Sequence, residues 1–335
     1  MKIVHTADWH IGATKKLLPE DYLQRQIGSI STLFEAAHAL DGVLVVSGDV
    51  FHNKHVSEAE RNAFLDTVES WDRKGVRSYF INGNHDIIDV HSTTLDSLAI
   101  LSRRLTNTTV ATLQPAIHTL DEGVTLLLFP PACRHDLDSA ESMARVRTWT
   151  VKASKSKPLI VATHAQVAGA VSETGHVFTD GAKLGDKRVA YWALGDIHRF
   201  QQVAKNAYYP GNPVHHRWGE DAGPEKGYIV YDTEACTVEH VPIESRRLLT
   251  TTSTKGLNAD DWYRLRTDKP PKVMPPNVLE VVPADRAGKL VELATRLDAL
   301  TGTEDPLEGL ADILADSGLS EDQVRQGLKL ARSAL

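Results

Sequence analysis

Two aspartate–histidine pairs in this sequence stand just after short apolar runs. Asp8 and His10 follow the run KIVHTA, and Asp196 and His198 follow VAYWAL. Each pair sets a carboxylate and an imidazole two residues apart, and both groups bind divalent Mn, Fe, Mg or Zn. An isolated histidine is more often a structural residue, so neither pair alone establishes a metal site.

Three further apolar runs end in polar residues of the same kinds. Asp49 follows GVLVVS, Asn84 and His85 follow RSYFIN, and His164 follows PLIVAT. In α/β sheets, ligand sites gather beyond the carboxyl ends of the strands. Without a ligand, polar groups at all these strand ends would crowd one buried rim at a high cost in free energy. The joint pattern therefore predicts a functional site.

The types of donor in this set predict a site for two divalent ions. Carboxylate, imidazole and amide oxygen donors suit Mn, Fe, Mg or Zn, and the set contains no thiolate. A carboxylate such as Asp49 can bridge two ions about 3.5–4 Å apart, the spacing found in phosphoester-hydrolysing enzymes. Such ions activate a water and stabilise the charge that develops during in-line attack. The chemistry indicated is metal-assisted hydrolysis of a phosphoester.

The elements that must position these residues alternate along about the first 245 residues. The five runs above and a sixth, VTLLLFP, are short and rich in β-branched or apolar residues, which predicts buried strands. Residues 20–40 and 57–74 carry helical periodicity, and Ser57 with Glu60 makes a capping box. Residues 227–243 predict a β-hairpin. This alternation predicts an α/β layered fold with helices covering the sheets.

Composition and charge set limits on the function. The net charge of -7 argues against a domain that grips nucleic acid through its own bulk electrostatics, although a positive groove or a basic partner would reconcile the two. Cys133 and Cys236 form no CxxC pair, which indicates neither a disulfide framework nor a cysteine-based zinc site. With no signal-peptide region and no apolar run near the ~20 residues of a membrane span, the expected location is the cytoplasm.

The composition changes after about residue 246. Strand candidates YRLRT and NVLEVVP flank the proline-rich DKPPKVMPP, and a helix is predicted over about 285–300. These segments predict a small accessory module. The last segment, 302–335, predicts a pair of helices, with a second capping box at Ser320 and Gln323. Their apolar face can pack on the parent domain or on a partner protein.

The motifs together resemble a known signature. ADWHIG, SGDVFHNKHVS, INGNHD, ATHA, ALGDIH and YYPGNPVHHRWGE are similar to the motifs of calcineurin-like metallophosphoesterases, and in detail to the SbcD family of DNA double-strand-break repair nucleases. They cover most of residues 1–220, in order. The length and trailing helices are similar to SbcD-type subunits encoded by bacteriophages. The resemblance implies a four-layer αββα sandwich of two mixed β-sheets flanked by helices, with a small α+β cap and C-terminal helices.

The resemblance also implies the ligands of both ions, with one departure. The family usually carries histidine where this chain has Asp196. Aspartate either binds the second ion directly, which favours Mn²⁺ or Mg²⁺ over Zn²⁺, or acts on it through water. Direct binding is the expectation here, and Mn²⁺ is the expected metal with Mg²⁺ as the alternative. The implied ligands are Asp8, His10, Asp49 and His198 for the first ion, and Asp49, Asn84, His164 and Asp196 for the second.

Further residues acquire expected roles from the same motifs. His85 resembles the family's catalytic histidine, which protonates the leaving oxygen or steadies the phosphate. Asp86 follows it as an orienting carboxylate, and His52 resembles a substrate-contacting histidine. Basic residues on the loops can contact a DNA backbone, although ordinary surface exposure explains each of them equally well. These basic residues are Lys15, Lys16, Lys54 and Arg217, and the last lies in the segment His215–His216–Arg217–Trp218 that either meets substrate or is structural.

The function implied is that of a Mn²⁺-dependent DNA exonuclease and endonuclease subunit of an SbcCD-like recombination and repair complex. Domain 1–245 would carry the nuclease, 246–301 the cap, and 302–335 the docking segment for a coiled-coil SMC-like ATPase. DNA is the other partner, no membrane is implied, and a homodimer is compatible with the family. A phage-encoded protein would act in the host bacterial cytoplasm. Two alternatives are a phosphodiesterase or phosphatase acting on small molecules or proteins, and a non-catalytic scaffold subunit.

Overall fold

The computed structural model describes most of the chain. The described residues are 1–18, 22–87, 98, 101–112, 114–131, 148–153, 158–173, 175–179, 181–182, 184, 186–220 and 224–284. The chain divides into two compact units, Met1–Leu249 with Asn258–Trp262, and Thr250–Leu257 with Tyr263–Leu335. The helix predicted at about 285–300 and the segment 302–335 lie outside the described residues, so the domain boundaries stay predictions.

Strands and helices alternate along the first unit as the sequence pattern predicts. The helices include α1 (Tyr22–Ala39), α2 (Glu58–Arg73) and the single turn α3 (Leu101–Arg104), and a 3₁₀ turn spans Asp121–Gly123. In chain order the strands are β1 (Lys2–Thr6), β2 (Val43–Ser47), β3 (Arg77–Ile81), β4 (Thr108–Ala111), β5 (Ala116–Thr119), β6 (Thr125–Phe129), β7 (Leu159–His164), β8 (Val189–Gly195), β9 (Gln201–Ala204), β10 (Ala207–Tyr209), β11 (Gly227–Asp232), β12 (Thr237–Pro242), β13 (Leu248–Thr251), β14 (Trp262–Arg266) and β15 (Val278–Val282).

Two six-stranded mixed sheets form the body of the first unit. The first has the order β12-β11-β1-β2-β3-β4, in which β1 to β4 are parallel and β11 and β12 form an antiparallel hairpin. The second has the order β5-β6-β7-β8-β10-β9, with a parallel centre and antiparallel edges. The six apolar runs correspond to β1, β2, β3, β6, β7 and β8, so those strand predictions and the hairpin are confirmed.

The central strands are buried on both faces, which explains their continuous apolar runs. In β1, Ile3 packs with residues of both sheets in the sandwich interior, while Val4 packs towards α1 and α2. This alternation follows from the period of two along a strand. The outer face of the second sheet packs on residues 148–153, which are helical, and on the irregular stretch around Val167 and Ala170. The result is an α/β sandwich of two mixed sheets, as expected from the motifs.

The two long helices cover the first sheet with amphipathic faces. Phe34 of α1 and Trp71 of α2 stack with ring centroids 6.4 Å apart in a shared core. The predicted capping box of α2 is confirmed: the Ser57 side chain accepts from the Glu60 N–H, and the Glu60 carboxylate accepts from the Ser57 N–H at 2.9 Å. Such a box satisfies two backbone donors that the first helical turn leaves unpaired.

Among the described residues, five strands are not predicted by the sequence pattern, namely β4, β5, β9, β10 and β13. All are three or four residues long, and β4, β5 and β9 lie at sheet edges. An edge strand is half exposed and needs no apolar run, so its pattern resembles that of a loop. Strands β14 and β15, which overlap the predicted YRLRT and NVLEVVP strands, pair in parallel in a third sheet. None of the helices in the described ranges is long and apolar enough for a membrane crossing.

Candidate metal centre

The predicted residues of both sheets meet at the carboxyl ends of their strands. Ser47, at the end of β2, donates its hydroxyl to the Ala193 carbonyl of β8 at 3.0 Å, which ties the two sheets together beside the site. In this region Asp8 and His10 follow β1, Asp49 follows β2, Asn84 and His85 follow β3, His164 ends β7, and Asp196 and His198 follow β8.

One group of side chains surrounds the His164 imidazole. Its Nε2 lies 3.0 Å from Asn84 Oδ1, 3.5 Å from Asp49 Oδ2 and 3.4 Å from Asp196 Oδ1. Its Nδ1 lies 2.8 Å from the Ser47 carbonyl, so Nδ1 is the protonated nitrogen and Nε2 is the one that faces the group. Donation from Nδ1 to a carbonyl is the arrangement that orients metal-ligating histidines in proteins.

A second group forms around the His10 imidazole. Its Nε2 lies 2.9 Å from the Nε2 of His198 and 3.5 Å from Asp49 Oδ2. Ligand atoms of Asp8, His10 and His198 all lie within 4.8 Å of one another. Two imidazole nitrogens that point at each other across this distance suit a shared cation or a shared proton. The Asp49 carboxylate oxygen is equidistant from His10 and His164, so it sits between the two groups.

Backbone conformation at these positions is unusual for residues with side chains. The φ angles of Asp8, His10, Asp49 and Asp196 are 55°, 43°, 54° and 101°. Such left-handed conformations cost of order 1–3 kcal/mol each and persist only where surrounding contacts impose them. Here the Asp8 N–H donates to the Gly48 carbonyl, and the His10 N–H to the Asp49 carbonyl, both at 3.0 Å. The strain is concentrated at the residues that converge on the site.

Close approach of the loops explains two of the glycines in the motifs. A Cβ atom at Gly83 would lie 2.0 Å from Asp49 Oδ1, and one at Gly195 would lie 1.9 Å from the Ser47 carbonyl oxygen. Neither distance is compatible with a real side chain. The loop after β3 can therefore reach the Asp49 carboxylate, and β8 can reach β2, only because both positions lack a side chain.

Burial and mutual charge perturb the acidic groups strongly. Burial raises the pKa of Asp8 to about 7, and the charges of Asp49 and Asp196 add to this, while His164 and His198 oppose it. Burial would also raise the pKa of Asp49, but the neighbouring His164 and His10 outweigh it and hold that pKa well below its usual range. Three carboxylates therefore meet in a buried space that favours cations.

The two histidines at the core of the groups are shifted in opposite directions. Burial lowers the pKa of His10 well below its usual value, with Asp49 opposing and the nearby His198 adding to the effect. Burial would likewise lower the pKa of His164, but the charges of Asp49 and Asp196 raise it well above 6.5. A positive charge is thus favoured where His164, Asp49 and Asp196 meet, either as a proton or as a metal ion.

His85 and His52 lie at the half-buried mouth of the site. The His85 N–H donates to Asp49 Oδ1 at 2.9 Å, and its Nδ1 lies 2.6 Å from the His52 carbonyl. The two imidazoles stack with centroids 5.7 Å apart, and the His85 ring is 4.8 Å from that of His10. Burial lowers the pKa of His52, with the charges of His85 and His198 adding to the effect. Both rings are close enough to meet a phosphate at the two groups.

Asp86 acts on the backbone of the site loops. Its buried carboxylate accepts from the N–H groups of Val50 at 3.2 Å, Phe51 at 2.9 Å and Gly83 at 2.8 Å. These bonds join the loop after β2 to the loop after β3, which carry Asp49 and His85. Asp86 therefore fixes the two loops relative to each other, and its orienting and catalytic roles stay predictions.

The basic residues expected to contact DNA have unequal surroundings. Lys15 pairs with the Glu60 carboxylate at 3.3 Å, and the Arg217 guanidinium contacts the Glu173 carboxylate, which lies 3.8 Å from His198 Nδ1. Lys16 and Lys54 are exposed on the loops that follow the first and second motifs. The contacts of all four with DNA stay predictions.

A buried polar network lies behind His198, and no sequence pattern indicates it. The Lys226 ammonium donates to Glu220 Oε2 at 2.9 Å, to the His198 carbonyl at 3.0 Å and to Asn212 Oδ1. Against the effect of burial, the Lys226 ammonium and the hydrogen bond from Asn212 lower the pKa of Glu220 to about 2. Burial lowers the pKa of Lys226, with Glu220 opposing. Charged residues in a turn-rich stretch give no sequence signal of burial, so only the fold reveals this network.

An α/β sandwich whose facing strand ends gather aspartate, histidine and asparagine around two points defines the architecture of a metallophosphoesterase. The sequence model of the calcineurin-like phosphoesterase family matches residues 1–200, and the chain belongs to that family. It is therefore a hydrolase of phosphoesters, and its family uses divalent metal ions. The chain is similar to the SbcD component of the nuclease SbcCD from Bacillus subtilis (strain 168), with 25% identity over 300 residues that cover 74% of this chain and 71% of the relative.

Proposed function

We propose that this phosphoesterase is a metal-dependent DNA exonuclease and endonuclease, the nuclease subunit of an SbcCD-like recombination and repair complex. The observation that carries the proposal is the convergence of the strand ends, with His52 and His85 at the mouth of the same site. The name of the Bacillus relative and the SbcD-like loops favour DNA over other phosphoesters.

Two ions fit the donor atoms. Asp8, His10, Asp49 and His198 would hold the first ion, and Asp49, Asn84, His164 and Asp196 the second. The position of Asp49 Oδ2, 3.5 Å from both His10 Nε2 and His164 Nε2, supports a bridging role. When bound, such ions supply an activated water and stabilise charge on the phosphate. Oxygen-rich donors support Mn²⁺, with Mg²⁺ as the alternative.

The geometry at Asp196 supports direct binding of the second ion. Its Oδ1 lies 3.4 Å from His164 Nε2, within the group that includes Asn84 and Asp49. Its side chain is 11% exposed, so it belongs to the buried lining of the site. A residue acting through water would need room between its carboxylate and the other ligands.

His85 is proposed to act on the scissile phosphate. Its Nδ1–H donates to the His52 carbonyl, which fixes the ring and leaves Nε2 for contact with substrate. In that position it can carry a proton to the leaving oxygen or hold a phosphate oxygen. The hydrogen bond from its backbone N–H to Asp49 holds this residue in place beside the metal ligands.

The partners proposed are DNA and a coiled-coil SMC-like ATPase. The net charge of -7 supports a complex in which the ATPase supplies much of the DNA-binding surface. The segment 302–335 is the proposed docking element, and a chain truncated after about residue 302 should keep its metal chemistry and lose co-purification with the co-encoded ATPase. Retained binding by the truncated chain would contradict that role.

The decisive test is a comparison of substrates in Mn²⁺. Linear duplex DNA should be cleaved, with and without the co-encoded ATPase, and His85→Ala should lose the activity while His118→Ala, on the edge strand β5, keeps it. Hydrolysis of bis-p-nitrophenyl phosphate or cyclic nucleotides without any cleavage of DNA would refute the nuclease proposal. Cleavage that survives both His85→Ala and removal of metal would refute the mechanism.

A further inference from the structure

The network behind His198 contains a histidine that the two metal groups leave unused. His216 is 7% exposed, and its ring lies edge-on to those of His10 and His198, with centroids 5.4 Å and 6.0 Å away. Ligand atoms of His198, His216 and Glu220 lie within 4.8 Å of one another, which suggests a third metal site at first sight. However, the Glu220 carboxylate already has a buried cation, the Lys226 ammonium.

The orientation of the Asn212 amide is fixed by its surroundings. Its Oδ1 accepts from the Lys226 ammonium, and its Nδ2 lies 2.9 Å from both the Val214 carbonyl and Glu220 Oε2. A reversed amide would set its oxygen against two acceptors and its NH₂ group against an ammonium. The group that faces His216 Nδ1, at 3.1 Å, is therefore the amide nitrogen.

This contact determines the protonation state of the His216 ring. The two amide hydrogens are shared among the Val214 carbonyl, Glu220 Oε2 and His216 Nδ1. Because an amide nitrogen accepts no hydrogen bond, a proton on Nδ1 would point at those hydrogens without an acceptor, so Nδ1 is unprotonated. A buried neutral imidazole with a bare Nδ1 carries its proton on Nε2. In this form Nε2 cannot bind a metal ion, because its lone pair is occupied by the proton. The ring is therefore a fixed hydrogen-bond donor beside the metal ligands.

The Nε2 atom lies on the side of the ring opposite the bond to Asn212. It is buried, and it makes no hydrogen bond to any residue in the described part of the chain. A buried donor without an acceptor is costly. Beside it lie His10 and His198, whose own Nε2 atoms meet at the first metal group. The missing acceptor is thus expected from a ligand of that group.

We propose that His216 is a phosphate-binding residue, whose Nε2–H donates to a non-bridging oxygen of the phosphate held at the metal centre. Only one part of this inference rests on the proposed function, namely that the phosphate belongs to a nucleic acid. A neutral donor suits this position, since the ring cannot gain a second proton at Nδ1 while Asn212 faces it. Lys226 and Glu220 act as positioning residues, because they orient the Asn212 amide.

The first experiment uses the unmodified full chain. The protein is labelled with ¹⁵N-histidine and loaded with Zn²⁺ or Mg²⁺, which are diamagnetic, and the His216 signals are identified by their loss in His216→Phe. Long-range proton–nitrogen spectra should show Nδ1 bare and Nε2 protonated, and inorganic phosphate or thymidine monophosphate should shift the Nε2 resonance. A proton on Nδ1, or no shift at saturating phosphate, would overturn the proposal.

The second experiment measures affinity by calorimetry with the same two phosphates. His216→Phe should weaken binding roughly 10-fold or more, as expected for a hydrogen bond to a charged group, with its metal content unchanged. His216→Gln, which keeps an N–H donor, should recover part of the loss, and His215→Phe at the neighbouring buried histidine should bind as the wild type does. Loss of metal from His216→Phe, or unaltered affinity, would refute the proposal. Phosphate binding through His216 without cleavage of DNA would refute only the nuclease function.

Discussion

Replacement of Lys226 by methionine tests whether the network behind His198 stabilises the fold. The ammonium donates to Glu220 Oε2, the His198 carbonyl and Asn212 Oδ1, and Lys226→Met removes all three of these hydrogen bonds. Methionine preserves most of the volume of the side chain, so the change removes charge and hydrogen bonds with little change in packing. The Glu220 carboxylate would remain buried, with only the exposed Arg217 guanidinium, 3.8 Å from its Oε1, as a nearby cation among the described residues.

The size of the effect follows from two independent arguments. Removal of one partner of a buried ion pair costs about 3–5 kcal/mol. The pKa of Glu220, about 2 against an ordinary 4.5, corresponds to roughly 3 kcal/mol of stabilisation of its charged form. We expect Lys226→Met to lower the free energy of unfolding by about 3–5 kcal/mol, which is roughly 6 to 20 °C in Tm for a unit of this size.

The pH dependence of the stability difference distinguishes a lost ion pair from a packing defect. The depressed pKa of Glu220 contributes stability above about pH 4.5, and this contribution is lost as the pH falls towards 2. In Lys226→Met the unpaired Glu220 takes up a proton more readily. The difference in stability between wild type and variant should therefore be largest near neutral pH and should shrink in acid.

The assay is thermal and urea unfolding between pH 3 and 7.5, with Lys205→Met as the matched control. Lys205 is exposed, and its replacement should change stability by no more than about 0.5 kcal/mol. The double variant Lys226→Met, Glu220→Gln should lose less stability than Lys226→Met alone, because the buried charge is gone. A Lys226→Met protein within about 1 kcal/mol of wild type at neutral pH, or a difference that grows in acid, would refute the reasoning.

Three further predictions concern the metal centre. Gly83→Ala should abolish binding of both ions, measured by elemental analysis in excess Mn²⁺, because its Cβ would lie 2.0 Å from Asp49 Oδ1. Asp196→Asn should retain the first ion and bind the second at least about 10-fold more weakly; wild type with a single ion per chain would contradict direct ligation by Asp196. Because burial raises the pKa of Asp8 to about 7, Mn²⁺ affinity should increase as the pH rises through 7, and calorimetry at pH 6.5 in buffers of different ionisation enthalpy should show proton release.

The glycine test has a matched control in α1. A Cβ at Gly28 would meet no atom within 4 Å, so Gly28→Ala should keep both ions and should stabilise the helix by roughly 0.5–1 kcal/mol. In the calorimetry, a binding enthalpy that does not depend on the buffer would show that no buried group loses a proton on metal binding.

The sequence predicts the central strands because each is buried on two faces. Strands β2 and β7 read as continuous apolar runs, and the polar residues that follow them need a shared ligand to offset their burial. The edge strand β5 alternates half-buried and exposed residues without an apolar run, so local pattern alone does not separate it from a loop.

Some residues of the site can be predicted from the local sequence, and others depend on the tertiary structure. Asp49 and His164 are predictable because they stand at the ends of recognisable strands. Glu220 and Lys226 are not, since their pairing depends on a fold that buries both beside His198. The protonation state of His216 is harder still to predict from sequence. It depends on the orientation of the Asn212 amide, which in turn depends on that ion pair.

Asp196 shows how a ligand position can change while the site around it is kept. Its backbone has a φ of 101°, and its N–H donates to both carboxylate oxygens of Asp8, at 3.1 Å and 3.2 Å. Because the backbone makes this contact, a change from the family's usual histidine would act through what the side chain offers the proposed second ion. In the proposed site, aspartate would offer the second ion a charged oxygen in place of a neutral nitrogen, which would favour Mn²⁺ or Mg²⁺ over Zn²⁺.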